Sequence, residues 1–290
     1  MPPLAASLLQ PFGVERLTAG RARPFASLVE RYGEPWTQSL LAEWSADGGW
    51  GGPRGEDRYA WLTALPRLCA ALRVCSGAGP LAARLLLQEE WTWLEGVLAE
   101  SCHLHAPPQR VQALRQLARP VLGWLQGAVV VAAGELRDRA LDVLCAAGDD
   151  TLLPCLVQVL RAAPASFSDT GLDVIGRHCA ERLAARLAQP ARARDDWSMA
   201  PPEDCRCGIC ARLREFLGDS RQQRLEWPLA KERRRHVHQV LDAHEMAVRH
   251  RTRRSGSPYT LVLEKIDALF AREEAERRRW QDDLDWLTSR

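Results

Sequence analysis

Three thiols fall within six residues, Cys205, Cys207 and Cys210, in the run Asp204-Cys-Arg-Cys-Gly-Ile-Cys. Sulfur at that density is metal-ligand chemistry. A C-x-C-x2-C spacing brings three thiolates to one point if the backbone turns tightly, and Gly208 is the permissive residue such a turn needs. The cations Arg206, Arg212 and Arg214 favour the thiolate form that a metal requires. Zinc takes four tetrahedral nitrogen or sulfur ligands, so one is still to be supplied. The expected source is the basic stretch downstream, where His236 and His238 stand in Arg-Arg-His-Val-His. On a helix, residues i and i+2 point about 200° apart, so only one of the two can face the thiols. His236 is the expected ligand, His238 the alternate and His244 the third choice. A closed Cys3His site has no open position for water, which makes the expected zinc structural and not catalytic. Free structural thiols, or a redox centre working through Cys205 and Cys210, are the competing readings.

The second chemically suggestive stretch is 231–254, with one Lys, seven Arg and three acids, hence a charge of +5, plus His236, His238, His244 and His250. A compact basic surface neutralises phosphates, so Arg234, Arg235, Arg249, Arg251, Arg253 and Arg254 form a candidate nucleic-acid or phosphate-binding set. The interleaved acids Glu232, Asp242 and Glu245 and the lack of stacking aromatics argue for a blander role. In that role the segment is a solvated face neutralised by Glu273-Glu274-Glu276 and Asp282-Asp283-Asp285.

Other constellations resemble catalysis without its geometry. Cys102-His103-Leu104-His105 puts a thiol beside imidazoles, but a base must approach its nucleophile from elsewhere in the fold. His178 and Glu181 lie one helical turn apart with no second His-Glu pair to complete a di-iron site. The Gly-rich run at 48–56 lacks the Gly-Lys-Ser/Thr of a phosphate loop and reads as a connector. No catalytic residue and no small-molecule substrate are expected.

These groups need elements to position them. Apolar residues at helical spacing, cut by Gly and Pro, predict helices over 36–46, 57–75, 80–100, 109–131, 135–147, 151–162 and 170–188. The apolar stripes at 135–147 and 151–162 flank Gly148-Asp149-Asp150 and suggest a hairpin of the HEAT or armadillo kind. No strict period emerges, so the expectation is an irregular stacked-helix domain. Beyond it, a short helix is expected over 210–217 and a longer one over 228–244, with a β-hairpin over 246–252 and 259–263 and a charged final helix over 264–287. The fold class is therefore mainly α: a helical scaffold domain at 1–189, a linker at 190–204, and a zinc-stabilised α/β module with a hairpin and a long C-terminal helix at 205–290.

Of 290 residues, 46% are hydrophobic and 26% charged, with a net charge of +2, which excludes a disordered tail or a uniformly basic nucleic-acid coat. Only two of the 39 basic residues are Lys, a skew that reads as genomic. No run reaches the ~18 apolar residues of a membrane span; the nearest, 121–134, is interrupted by Gln126 and Gly127 and reads as a buried core helix. The N-terminus has no signal-peptide pattern, and nine cysteines without disulfide-framework spacing fit a reducing compartment, so a cytoplasmic protein is expected.

Between residues 195 and 265 the order Asp-Asp-Trp, C-x-C-x2-C, Arg-x-x-Glu-Phe-Leu, Trp-Pro-Leu-Ala-Lys, Arg-Arg-Arg-His-Val-His, then Thr-Arg-Arg-Ser-Gly-Ser-Pro-Tyr-Thr-Leu-Val-Leu-Glu-Lys resembles an uncharacterised C-terminal module. That module occurs in large bacterial and fungal proteins, some of which also carry a 2-oxoglutarate/iron(II) oxygenase domain. Cys205, Cys207, Cys210, Phe216, Leu217, Arg234, His236, Thr252, Gly256, Pro258, Thr260, Leu261 and Lys265 carry the resemblance. The oxygenase activity does not transfer, because this chain has no iron triad. The resemblance implies an accessory docking module. The expected function is a non-enzymatic protein-interaction scaffold with a structural zinc site, a nucleic-acid-binding accessory factor and a thiol redox protein being the alternatives.

Overall fold

The computed structural model describes residues 17–46, 56–75, 77–104, 107–146, 150–163, 170–202 and 205–289. The Gly-rich connector at 48–55, the N-terminal sixteen residues, His105 and the Gly148-Asp149 turn lie outside them. The chain is mainly helical, with a small antiparallel sheet near its C-terminus. It divides into two compact units, Met1–His103 with Arg110–Cys179, and Leu104–Gln109 with Ala180–Arg290.

In the first unit the helices are α1 (Ala22–Ala46), α2 (Glu56–Arg73), α3 (Gly79–Cys102), α4 (Pro107–Gln116), α5 (Ala118–Val130), α6 (Gly134–Leu144), α7 (Leu153–Ala162) and α8 (Leu172–Ala188), the start of α4 and the last turns of α8 belonging to the second unit. Two helices depart from their expected bounds, each for a local reason. α1 begins at Ala22 because Phe25, Ala26 and Val29 bury one face ahead of a kink at Gly33, whose φ of 79° only glycine takes without strain. The long helix expected over 109–131 is two helices, because Pro120 has no N–H to offer the carbonyl of Gln116, where α4 ends.

α5 is the centre of this unit. Val121, Trp124 and Leu125 are fully buried, the Trp124 Nε1–H donating to the Leu87 carbonyl at 2.8 Å. The closest packing is α2 on α5 and α1 on α3, while α6 and α7, expected as a mutual hairpin, both pack on α5 more closely than on each other. No described helix is long and apolar enough to cross a membrane.

Gly123 is what lets α2 and α5 touch: a Cβ there would stand 2.3 Å from the Leu62 carbonyl oxygen. The clash is with backbone, which cannot swing aside. Gly123→Ala is therefore expected to destabilise this unit by roughly 2–3 kcal/mol, read as a lowered denaturant midpoint, whereas alanine at Gly96, where nothing lies within 4 Å, should not.

The second unit holds α9 (Gly208–Gly218), β1 (Arg224–Pro228), α10 (Lys231–Ala243), β2 (Val248–Arg253), β3 (Thr260–Lys265) and α11 (Ala268–Thr288), with strand order β1-β3-β2, all antiparallel. The inward positions Leu225, Trp227, Val248, Leu261 and Leu263 pack with Leu213, Phe216 and Leu217 of α9 and Val237 and Leu241 of α10. The segment 190–202 joins this core. Met199 is buried in it, the Met199 N–H donates to the Leu217 carbonyl, and Trp197 meets Phe270 edge-on at 4.8 Å.

α11 starts four residues later than expected because β3 runs on through Glu264 and Lys265. Lys265 is buried and donates from Nζ to the carbonyls of Leu217 at 3.1 Å and Asp219 at 2.6 Å, closing the C-terminal end of α9. Burial holds its ammonium well below the usual lysine value, at about 8.

Candidate metal centre

The thiol run turns into α9, and the turn is what gathers the sulfurs. Cys207 is the N-terminal cap of α9: its Sγ accepts the Cys210 N–H at 3.4 Å, and its carbonyl accepts the Ala211 N–H at 3.0 Å. Arg214, one turn along α9 from Cys210, reaches back to donate to the Cys205 carbonyl at 2.7 Å and fixes the incoming strand. α10 then crosses α9 and presents His236. Its Nε2 lies 3.1 Å from the Cys210 Sγ and 3.6 Å from the Cys207 Sγ. The ligand atoms of Cys205, Cys207, Cys210 and His236 all fall within 4.8 Å of one another, and they are the one such group of three or more among the described residues. This compact N/S donor set is compatible with a bound metal ion.

The electrostatics of the turn divide the thiols. Backbone N–H of Cys210, at the positive end of α9, and then the Cys205 side chain hold the exposed Cys207 thiol down at about 6. Burial pushes the Cys210 thiol up to about 12. The thiolate form is thus favoured at Cys207 on the solvent side, and a metal ion bound here would have to displace the proton that Cys210 holds on the buried side. The void beside Cys205 and Cys210, which His244 also lines, is about 20 Å³, room for one water and no substrate.

His238, the alternate ligand, points elsewhere, as residues two apart on a helix must. Its Nδ1 lies 2.5 Å from the Nδ1 of His250, and the Nε2 of His250 is 3.2 Å from the Asp242 carboxylate. Burial, followed by the neighbouring His250, keeps His238 below its ordinary pKa.

Comparison with models of known families, with curated proteins and with solved structures found no match.

The six arginines of the basic segment do not share one surface. Arg234 is buried, donating to the carbonyls of Leu229 and Tyr259 beneath the Tyr259 ring, so it holds the fold and faces no polyanion. Arg235 is exposed on α10, which packs on the inner face of the sheet. Arg249, Arg251 and Arg253 alternate on the outer face of β2, and Arg254 follows in the turn. Two of the α11 acids expected to neutralise them have other partners, Glu273 pairing with Arg192 at 2.6 Å and Glu274 with Arg278 at 3.0 Å. The counter-ions come instead from the sheet, Glu264 for Arg249 and Glu226 for Arg253.

Sequence reasoning missed β1, the contact of His250 with His238, and the burial of Lys265. β1 had a signal, the five-residue alternation Arg-Leu-Glu-Trp-Pro with Leu225 and Trp227 inward. Lys265 had none, since a lysine read alone is a surface residue.

Proposed function

We propose that Cys205, Cys207, Cys210 and His236 hold one structural zinc ion, and that the chain is a non-enzymatic, protein-binding scaffold of the cytoplasm. The supporting observation is the closed donor set drawn from two elements, the α9 turn and α10. Zn–S bonds of about 2.3 Å and a Zn–N bond of about 2.0 Å at tetrahedral angles separate sulfur from nitrogen by about 3.5 Å, in keeping with the 3.1 Å and 3.6 Å contacts of His236. Four protein ligands leave no coordination position for a reacting water, and the adjoining void admits no substrate, which speaks for a structural ion. Nine cysteines without disulfide-framework spacing fit a reducing compartment.

Elemental analysis of protein purified without metal-affinity steps is expected to find one equivalent of zinc, and thiol titration in the native state should leave Cys205, Cys207 and Cys210 unreactive until a chelator is added. Less than about half an equivalent, together with fast labelling of Cys207 and a Cys205–Cys210 disulfide under mild oxidant, would instead support the redox reading, to which the low Cys207 pKa also lends weight.

A further inference from the structure

β3 is the middle strand, so β1 and β2 are both edges. Lys265 and Ile266 settle which way the main chain of β2 faces. The Lys265 N–H goes to Gln223 on the β1 side and the Ile266 N–H to Ala247 on the β2 side. With the register Arg249↔Glu264, Arg251↔Val262 and Arg253↔Thr260, the three arginines make the ladder bonds to β3. The N–H and C=O of His250 and Thr252 then point outward along the edge, and among the described residues no other element pairs with them. Such a row of unpaired backbone groups is a template for an added strand.

The side chains say what kind of strand. Arg249, Arg251 and Arg253 project from the outer face of this edge at two-residue intervals, about 6.8 Å apart. Across the outer face of the sheet four guanidiniums, with Arg224, meet two carboxylates, Glu226 and Glu264. Arg251 lies opposite Val262 and has no ion pair among the described residues, while the pairs of Arg249 and Arg253 are exposed surface bridges that open easily.

We infer that the β2 edge is a docking site for an extended acidic peptide, which adds to the sheet as a fourth strand and places Glu or Asp opposite Arg249, Arg251 and Arg253. In an antiparallel addition those positions are the non-hydrogen-bonded pairs, where facing side chains come closest. A second copy of this chain is a poor occupant, because two β2 edges would set arginines against arginines. Single-stranded nucleic acid is also disfavoured, since no aromatic side chain is exposed on this face and two carboxylates interrupt it. The inference rests on the interaction-scaffold reading and is indifferent to which metal the thiols hold.

The test is fluorescence anisotropy with the full chain as purified and a fluorescein-labelled nine-residue peptide alternating Glu with Val and Thr. Saturable binding is expected, lost when alternate Val residues of the peptide are Pro, and weakened at least tenfold by the exposed substitutions Arg249→Glu with Arg251→Glu. Hydrogen exchange at the amides of His250 and Thr252 should slow on binding. An undiminished affinity for the proline peptide, tighter binding of a single-stranded DNA 12-mer, β2-dependent dimers or no binding by the folded chain would each overturn the inference. Zinc content measured on the same samples keeps failure of the docking site distinct from failure of the metal site: a metal-free chain that binds the peptide sinks the zinc assignment alone.

Discussion

Cys210→Ser is expected to cost the second unit its fold. Cys210 is 4% exposed at the head of α9 and holds the shorter of the two contacts with His236. An ion at this point ties α9 to α10 across a loop of roughly thirty residues, and a cross-link of that length removes much of the chain's freedom when unfolded. Structural zinc contributes an apparent ~10–16 kcal/mol at neutral pH, comparable with or larger than the whole stability of a small domain, ~5–15 kcal/mol. Hydrogen exchange should therefore show α9, α10 and the sheet losing protection in Cys210→Ser, and in the wild type after chelation, while α2 and α5 remain protected. Cys207→Ser should be milder, because Cys207 faces solvent and water can take its place in the coordination sphere. A Cys210→Ser protein with wild-type protection and no bound metal would refute the structural role.

The second large effect belongs to the first unit. Arg58 and Glu90 are buried, 2% and 0% exposed, and bonded bidentately at 3.0 Å and 2.8 Å, with the guanidinium 4.0 Å above the Trp93 ring. Burial lowers the Arg58 pKa and raises that of Glu90, and the attraction between them opposes both shifts. Removing one partner strands the other charge in the interior, so Glu90→Ala should cost about 3–5 kcal/mol. Replacing both, Arg58→Met with Glu90→Leu, should be close to neutral, because the pair's attraction does little more than repay its desolvation. Chemical denaturation of the two singles and the double decides the matter. If the double is as unstable as Glu90→Ala, the cost comes from packing on Trp93 and not from the stranded charge.

The readability of these features from sequence followed the range of the forces behind them. The thiol run and His236 could be found because ligand spacing and helical phase are local: Gly208 allows the turn, and the 100° step per residue separates His236 from His238. Helix interiors were visible for the same reason. What escaped was set by distant partners. β1 is five residues long and acquires its identity only from β3, more than thirty residues later. Gly123 looks like an interruption of an apolar run until Leu62 is seen against it. Arg58, Glu90, Arg234 and Lys265 look like surface charge, because nothing within their own helix or strand announces that a carboxylate or a row of carbonyls awaits them inside. A linear count of the basic segment pooled arginines that the fold distributes between the core, the exposed side of α10, the outer face of the sheet and a turn.

The position of β3 also sets an order of events during synthesis. The middle strand of the sheet is the last one made, so β1 and β2 leave the ribosome with no ladder to join, and each waits for a partner still to be translated. The thiols and His236, by contrast, all precede β2. If these residues hold an ion as proposed, its capture by α9 and α10 can come first, giving the nascent chain a clasped helix pair onto which β1, β2 and at last β3 condense, and the supply of metal at the moment of translation would then help set how much protein is made in folded form.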